Sequence, residues 1–306
     1  MVWRQIAPKD LRHAPQATTP HQLYFVRTRT VSAGRVLTDM EKKPLHLWYA
    51  HPEDLTEAVT QACAPLLSED ERGQWQTFRF DRHRREYLTT RALVRTALSH
   101  YHPVAPEAWR FQTNPYGKPT VDPDCGLRFN LSNSPGLVVC LIAQGAEVGV
   151  DAEPIEHAEK VAELAPEVLS PLELAQLEGL PGPEKLDRAL SLWTLREAYV
   201  KARGVGLSLP LNKFSFLFGG VEGIRLELDP CLGTEPGSRW RFCLVEHAGH
   251  RIALMAERAT VPELQVWEAR PLLAPPTRLA AGGERWFPAS TVSSRALQQQ
   301  SGHEAH

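Results

Sequence analysis

The sequence predicts an α+β protein made of two halves of similar organisation. Helical patterns are followed by strand patterns twice, once on each side of residue 150. A chain of 306 residues, 42% hydrophobic and 23% charged, can bury one substantial core or two modest ones. We therefore expect an N-terminal α+β half over 45–150 and a C-terminal α+β half over 151–266, related as a degenerate structural repeat.

Two flanking segments lack the apolar period of a folded element. Residues 1–44 carry scattered Pro, Thr and Arg, which predicts a partly disordered N-terminal extension. Residues 267–306 contain repeated Pro and Gly before a polar end, which predicts a disordered tail. The folded part of the chain is expected to lie between these two segments.

The N-terminal half is predicted to begin with a strand at 45–50, followed by a helix that starts at Pro52. Ser68, with Glu71 three residues later, is typical of a capping box that opens a second helix. An apolar stripe predicts a long helix over 81–101. Further strands are predicted at 110–113, 127–132, 137–143 and 147–152.

The C-terminal half is predicted to begin with helices. Ser170 is the expected N-cap of a helix that starts at Pro171, and a second helix is predicted over 185–203. Gly204 is expected to end that helix, because glycine readily adopts the left-handed conformation found after helix ends. Strand patterns follow at 214–218, 224–228, 239–246 and 251–257.

Composition excludes several classes of protein. A formal net charge of -2 and a pI near 6.6 indicate no overall attraction to nucleic acid or to anionic membranes. The five cysteines are an odd, widely spaced set without a Cys-x-x-Cys pair, so we expect a reducing compartment and no disulfide framework. No run of about 18 apolar residues and no apolar signal core are found. We therefore expect a cytoplasmic protein without a transmembrane helix.

Two short segments carry charged residues in a pattern that indicates chemistry. On a helix, Trp193, Glu197 and Lys201 share one face, and Trp193 is interpreted as a core anchor. Asp151 and Glu153 alternate on one face of a strand. The three carboxylates could converge on Mg²⁺, which prefers oxygen ligands, with the Lys201 ammonium beside a phosphate. Each piece alone is more typical of a polar strand edge or of a surface ion pair.

At these residues the chain resembles the surfactin-type 4′-phosphopantetheinyl transferases. The resemblance runs from about Leu45 to about Glu257, with all motifs in the family's order. It implies a fold of two similar α+β halves related by pseudo-twofold symmetry, with the active site in the cleft between them. The matching motifs lie at 114–119, 129–134, 149–153, 193–201 and 206–211.

The resemblance implies transfer of 4′-phosphopantetheine from coenzyme A to a serine of an acyl or peptidyl carrier protein by a monomer, with release of 3′,5′-ADP. Asp151, Glu153 and Glu197 would hold Mg²⁺, or Mn²⁺, on the pyrophosphate. Lys201 would neutralise or protonate the leaving phosphate. Glu173 lies in the family's Ser-x-x-Glu, whose carboxylate is the proposed general base. A metal-bound water as base, and a merely exposed first-turn glutamate, stay open as alternatives.

Coenzyme A contacts are also implied by the resemblance. One set matches the family's adenine loop, with backbone near the base: Tyr116, Gly117, Lys118 and Pro119. Ser132 and Asn133 match the strand that contacts a phosphate, although the family usually has His where this chain has Asn133. Arg85 and Arg91 are the best candidates for the 3′-phosphate among six clustered arginines. A solvated helix face and a nucleic-acid patch are the competing interpretations of those arginines.

Further readings compete with a working transferase. The departure at Asn133 and the two extensions leave open a coenzyme-A-binding or carrier-docking protein that has kept the fold. Another Mg²⁺-dependent phosphoryl transferase is disfavoured, because the sequence lacks a Gly-x-x-x-x-Gly-Lys-Ser/Thr loop. His247 and His250 have a metal-like spacing, but they lie between two strand patterns. We interpret them as a hairpin turn without a zinc site.

Overall fold

The structure, a computed structural model, describes residues 43–219, 224–229, 232, 240–258, 262–270, 272–279 and 287–291. The predicted N-terminal extension lies outside these ranges apart from residues 43 and 44. Among the helices of the described ranges, none is both long and apolar enough to cross a membrane. The cysteines within these ranges are free thiols, namely Cys63, Cys125, Cys140 and Cys243.

The N-terminal half combines three helices with five strands. The Ser68 and Glu71 capping box predicted for the second helix is present, with both reciprocal hydrogen bonds formed. In chain order the elements are β1 (Leu45–Ala50), α1 (Glu57–Cys63), α2 (Glu69–Thr77), α3 (Asp81–Tyr101), β2 (Arg110–Thr113), β3 (Pro119–Asp122), β4 (Leu127–Ser134) and β5 (Leu137–Gln144).

The following residues supply three further helices and the remaining strands. Gly204 ends the longest helix in the left-handed conformation, with φ 62°, as predicted. The elements are β6 (Val148–Pro154), α4 (Ala158–Val168), α5 (Pro171–Glu178), α6 (Gly182–Arg203), β7 (Phe214–Phe218), β8 (Ile224–Leu228), β9 (Trp240–His247), β10 (His250–Glu257), β11 (Leu264–Glu268), β12 (Thr277–Leu279) and β13 (Phe287–Thr291).

Two sheets and three hydrophobic clusters form the body of the fold. The first sheet has the order β12-β11-β1-β5-β4, the second has the order β6-β10-β9-β13-β8-β7, and β2 pairs with β3 alone. One cluster joins α3 to the first sheet, and another joins α6 to the second. The third contains side chains from β1, β5 and β11 together with β6 and β10, so the inner faces of the two sheets pack on each other.

The α+β class is confirmed, whereas the predicted domain ends differ from the structure. The predicted boundary at residue 150 falls inside β6. Strand β11 lies mostly in the predicted C-terminal half, yet β11 pairs in parallel with β1 of the first sheet. The prediction of a disordered 267–306 tail is wrong for β12 and β13, which pair with β11 and with β8 and β9. Strand β12 has only three residues and β13 pairs with strands distant in sequence, so local composition did not reveal them.

Gly149 allows helix α6 to pack directly on strand β6. A Cβ at this position would lie 2.0 Å from the Ala198 carbonyl oxygen and 2.5 Å from the Ala202 nitrogen. Both of these are backbone atoms, which cannot rotate away as a flexible side chain can. The close approach sets Glu197 and Lys201 of the helix over the carboxylates of β6.

Gly149→Ala is expected to destabilise the fold by about 1–3 kcal/mol or more, because the added methyl group must push α6 away from β6. Gly73→Ala is the matched control, since Gly73 lies within α2 and a Cβ there meets nothing within 4 Å. That control should stabilise the protein by about 0.5–1 kcal/mol. Urea unfolding measures both changes, and equal stability of the two variants would contradict the close packing.

Candidate active site

Strand β4 meets strand β6 through side chains. The Val150 amide donates to Asn130 Oδ1 at 2.9 Å, and the Ala152 amide donates to Ser132 Oγ at 3.2 Å. The Ser132 hydroxyl in turn donates to Asp151 Oδ1 at 3.0 Å. Side chains of the first sheet therefore hold the backbone of the second and fix the orientation of the Asp151 carboxylate.

Lys201 completes this arrangement from helix α6. Its ammonium donates to Asp151 Oδ1 at 2.6 Å and to Ser132 Oγ at 3.1 Å. The helix predicted from the spacing of Glu197 and Lys201 and the strand predicted from Asp151 and Glu153 thus face each other, so that charges from both motifs meet. Because Asp151 is buried, this ion pair is screened less than a surface pair would be.

Glu153 is oriented by two neighbours. Its Oε1 accepts a hydrogen bond from Trp193 Nε1 at 3.2 Å, and its Oε2 lies 3.4 Å from His157 Nδ1. Trp193 is half-buried and holds a candidate metal ligand in place, a role that its interpretation as a core anchor did not include. His157 was not predicted, because it follows Pro154 in a short 3-10 helix and shares no regular period with the strand.

The three carboxylates influence one another electrostatically. Burial raises the pKa of Glu197 to about 7, and the charges of Asp151 and Glu153 add to that rise while Lys201 opposes it. Burial, followed by the charge of Asp151, also raises the pKa of Glu153. Asp151 Oδ2 is buried without a hydrogen-bond partner among the described residues. Such a group of carboxylates, with an unused buried oxygen, fits a divalent cation.

The carboxylates are brought to one place without forming a closed coordination shell. Among the residues that the structure describes, the ligand atoms of one other group of side chains all lie within 4.8 Å of one another. Those of Asp151, Glu153 and Glu197 do not. Mg²⁺ tolerates this arrangement, since it usually keeps several waters and takes only one or two carboxylates directly. The donor set therefore fits Mg²⁺ better than it fits a metal that needs a full protein cage.

Glu197→Gln is expected to stabilise the metal-free protein at about pH 8 by about 1–3 kcal/mol. Glu197 has a pKa of about 7 in the folded state and an ordinary value of 4.5. Between these two pH values the folded state therefore keeps a proton that the unfolded state has released. The stability of the wild type therefore falls as pH rises toward 7, and glutamine removes this loss. The phosphopantetheine transfer that the resemblance implies should nevertheless fall at least about tenfold.

Urea unfolding in EDTA at about pH 5 and pH 8 measures this difference. The gain should shrink at the lower pH, where Glu197 of the wild type is already protonated in the fold. Glu163→Gln, at an exposed position on α4, is the matched control and should change little at either pH. If Glu197→Gln were no more stable than the wild type at about pH 8, the charged Glu197 carboxylate would not destabilise the folded state.

Glu173 is a structural carboxylate. It is 0% exposed, and both of its oxygens are engaged. Oε2 accepts from the Ser170 amide at 2.8 Å and from Arg196 Nη1 at 2.5 Å, and Oε1 accepts from the Phe216 amide at 2.8 Å. A carrier serine cannot reach this group, so the structure corrects its assignment as general base. The Ser-x-x-Glu pattern instead marks the capping box of α5.

The loop at 114–119 docks onto the end of helix α6. Asn114 Nδ2 donates to the Gly204 carbonyl at 2.7 Å, and Asn114 Oδ1 accepts from the amides of Tyr116 and Lys118, each at 2.9 Å. The Lys118 ammonium donates to Glu147 at 2.6 Å and to the Ala202 carbonyl at 2.8 Å. The side chain of Lys118 therefore clamps the helix end and is not available to a nucleotide.

The ring of Tyr116 and the neighbouring backbone remain accessible. Tyr116 is 56% exposed, and Gly117 has a φ of 89°, which favours glycine at this turn. Pro119 begins β3 and pairs with Thr113. Of the predicted nucleotide contacts, those of Tyr116 and of the Gly117 backbone are thus compatible with the loop. The backbone of Lys118, predicted to lie near the base as well, already pairs with Asn114 through its amide and its carbonyl.

The predicted arginines lie on helix α3. Arg85 forms an ion pair with Asp81 at 2.8 Å and lines a cavity of about 160 Å³ that also contains Trp75 and Leu88. Arg91 lies 3.5 Å from Glu71, and its guanidinium stands over a tyrosine ring. Both have ordinary partners on the N-terminal half, so the structure does not by itself bring them to the carboxylates.

Asn133 lies on the side of β4 that faces away from Asp151. Ser132 points toward β6, while Leu127 and Phe129, which share the face of Asn133, pack in the cluster of α3. Asn133 is exposed at the end of this face. Asn133 and the arginines of α3 therefore belong to the same side of the first sheet.

The comparisons with known proteins concern the segment that contains this site. Residues 147–255 match the family model described as the 4′-phosphopantetheinyl transferase superfamily. The chain is 32% identical over 189 residues to the 4′-phosphopantetheinyl transferase HetI of Nostoc sp., covering 61% of this chain and 79% of that protein. It is 26% identical over 214 residues to the 4′-phosphopantetheinyl transferase Sfp of Bacillus subtilis, covering 68% and 90%.

Similarity to a further relative and to a solved structure was also found. A phosphopantetheinyl transferase of Thraustochytrium sp. is 31% identical over 198 residues, which cover 60% of this chain and 68% of that protein. A crystal structure of a holo-(acyl-carrier-protein) synthase from Bacillus anthracis in complex with CoA (3′,5′-ADP) matches 37% of this chain and 96% of its own at 18% identity. Its TM-score of 0.32 is too low to carry an argument.

Proposed function

The chain belongs to the 4′-phosphopantetheinyl transferase superfamily, and on that premise we propose how its residues carry out the transfer. The enzyme moves 4′-phosphopantetheine from coenzyme A to a serine hydroxyl of an acyl or peptidyl carrier protein and releases 3′,5′-ADP. The observation that supports this proposal most is the meeting of Asp151, Glu153 and Glu197 with Lys201 inside the matched segment.

Asp151, Glu153 and Glu197 are proposed to hold Mg²⁺, with Mn²⁺ as a substitute. When bound, the cation would neutralise charge on the pyrophosphate oxygens of coenzyme A. Lys201, already 2.6 Å from Asp151, is placed to contact the leaving phosphate beside that position. Ser132 keeps the aspartate and the ammonium aligned through its hydroxyl.

The serine proton needs an acceptor other than Glu173, which is fully buried. We assign that role to a water molecule at the carboxylate cluster. The nucleotide is proposed to lie against Tyr116, Gly117 and Pro119, and its 3′-phosphate between Asn133 and the arginines of α3, Arg85 and Arg91.

We also propose that the two halves are related by a pseudo-twofold axis in a monomer, with the site in the cleft between them. Each sheet carries one long helix on its outer face, α3 on the first and α6 on the second, which agrees with that symmetry. Asp151 lies where β4 and β6 meet, as expected of a site shared by two halves. A cytoplasmic location is likewise a proposal, and it rests on the sequence.

Mass spectrometry tests the transfer. Purified apo-carriers of fatty-acid, polyketide, peptide-synthetase and lysine-pathway type are incubated with coenzyme A and Mg²⁺, and one phosphopantetheinyl group should be added to at least one of them. EDTA should abolish the addition. Calorimetric binding of coenzyme A without any carrier modification would instead favour a binding or docking protein that has kept the fold.

Asn133→His is expected to tighten coenzyme A binding at pH 6, because an imidazolium adds a charge-assisted bond to a phosphate where Asn offers a neutral one. The gain should shrink at pH 8, since an unperturbed His loses its proton near pH 6.5. Calorimetry at both pH values measures the affinity, and Asn133→Gln is the neutral control. Equal affinity of the His variant and the wild type at pH 6 would remove Asn133 from the phosphate site.

A further inference from the structure

A second group of side chains with metal-ligating atoms contains none of the three carboxylates. Among the described residues, His51, His247 and Glu268 each offer one ligand atom, and these atoms all lie within 4.8 Å of one another. His51 follows β1, Glu268 ends β11, and His247 ends β9. The group therefore links the first sheet to the second.

The backbone register explains how His51 and Glu268 meet. Strands β1 and β11 are parallel neighbours in which Tyr49 pairs with Glu268, and His51 follows two residues after Tyr49. His51 is buried, whereas Glu268 is 23% exposed, so the group has an entry path from solvent. The distance from His51 Nε2 to Glu268 Oε1 is 3.5 Å.

The hydrogen bonding of His51 leaves one ring nitrogen directed at this carboxylate. His51 Nδ1 lies 3.2 Å from the Gly136 carbonyl oxygen, which can only accept. With a single proton on Nδ1, the lone pair of Nε2 faces Glu268, and the two electron pairs repel unless a second proton or a metal ion lies between them. A histidine that donates one nitrogen to a backbone carbonyl and presents the other is the usual metal-ligand arrangement.

His247 supplies the third ligand, which is the second ring nitrogen of the group. Its ring stacks on Tyr49 with a centroid distance of 4.0 Å and an interplanar angle of 4°, which fixes the ring plane. Its Nε2 is buried and has no hydrogen-bond partner among the described residues.

We propose that His51, His247 and Glu268 bind a Zn²⁺ ion, leaving its fourth position to water or an external ligand. Two imidazoles and one carboxylate suit Zn²⁺ rather than Mg²⁺, which favours oxygen ligands. Tetrahedral ligands at Zn²⁺ lie about 3.3 Å apart, close to the separation of His51 and Glu268. The hairpin predicted at 247–250 is confirmed. His247 also lies beside His51 and Glu268, which belong to other segments of the chain.

The bound ion would stabilise the strands and the turn that hold the candidate active site in place. The turn between β4 and β5 offers two carbonyls to histidines: Gly136 to His51, and Pro135 to His250 Nε2 at 3.0 Å. Strand β4, which carries Ser132, leads directly into that turn. The bound ion would therefore hold β1, β11 and the β9–β10 hairpin together at the end of the strand that positions Asp151.

The untagged full-length protein, stripped with a chelator and dialysed, tests the site. Co²⁺ titration should produce the visible absorbance of a four- or five-coordinate ion, saturating at one equivalent, and Zn²⁺ should abolish that absorbance by competition. Zn²⁺ should also raise the melting temperature. Absorbance of a six-coordinate ion alone, or no saturable binding, would overturn the proposal and leave His51 and Glu268 as an ion pair.

Three variants locate the binding. His247→Asn and Glu268→Gln should each lower Zn²⁺ affinity at least about 100-fold and lose the thermal shift. His83→Asn, on α3, should retain both, and Asp151→Asn should do the same because it affects only the carboxylate cluster. Should His247→Asn fail to fold, Glu268→Gln and the wild-type titration still decide. Unchanged Zn²⁺ binding by folded Glu268→Gln would overturn the assignment of the ligands.

Discussion

Asp151→Asn is expected to reduce phosphopantetheine transfer at least about 100-fold. The amide keeps the size of the carboxylate but cannot carry its charge. The Lys201 ammonium, 2.6 Å from Asp151 Oδ1, would then lose its anionic partner, and the carboxylate cluster would lose the member with an unused buried oxygen. The initial rate of carrier modification, at coenzyme A and Mg²⁺ concentrations that saturate the wild type, measures the effect.

The control for this variant is Glu163→Gln, which removes one negative charge from an exposed position on α4 and should leave the rate unchanged. Circular dichroism should show that Asp151→Asn is folded, since Asn can still accept the hydrogen bond from Ser132. Raising the Mg²⁺ concentration should recover part of the activity if the loss lies in metal affinity. Wild-type turnover in Asp151→Asn would remove this residue from the chemistry.

Glu173→Ala is expected to destabilise the protein by about 3–5 kcal/mol, because it leaves the Arg196 guanidinium buried without its anion. Arg196 is only 3% exposed, and its remaining contacts are to the carbonyls of Leu211 and Phe214 and to the Phe214 ring. Urea unfolding should show a lower midpoint with an unchanged slope.

Glu173→Gln separates a structural role from a catalytic one. Glutamine keeps the length of the side chain and one carbonyl oxygen, so we expect a smaller loss of stability, about 1–3 kcal/mol. The transfer rate per folded molecule should stay within about threefold of the wild type. If Glu173 were the general base, the rate would fall about 100-fold or more in the same folded variant.

The sequence was most informative where short periods decide structure. Apolar spacing predicted α3, the stop at Gly204 marked the end of α6, and alternation on β6 placed Asp151 and Glu153 on one face, as the structure confirms. Both of these patterns are local, so they can be recognised without knowing the fold. The convergence of the three carboxylates was considered from their chemistry and implied by the resemblance, whereas the direct contact of Lys201 with Asp151, 50 residues away in the chain, was not predicted.

Sequence reasoning failed where a contact depends on sheet order. The carbonyl-rich turn beside His51, and the pairing of Tyr49 with Glu268, follow from β1 and β11 lying side by side although they are far apart in the chain. Nothing in the segment around either residue indicates the other. The same holds for Glu173, whose capping pattern was visible but whose burial under Arg196 was not.

The contact between β4 and β6 also protects two edge strands from intermolecular strand pairing. In the described part of the chain, both are edge strands, and an exposed edge offers unpaired backbone groups that invite a strand from another molecule. Asn130 and Ser132 already occupy the amides of Val150 and Ala152. A foreign strand therefore finds no free donor at these two residues, and the side chains that align Asp151 also guard its strand against aggregation.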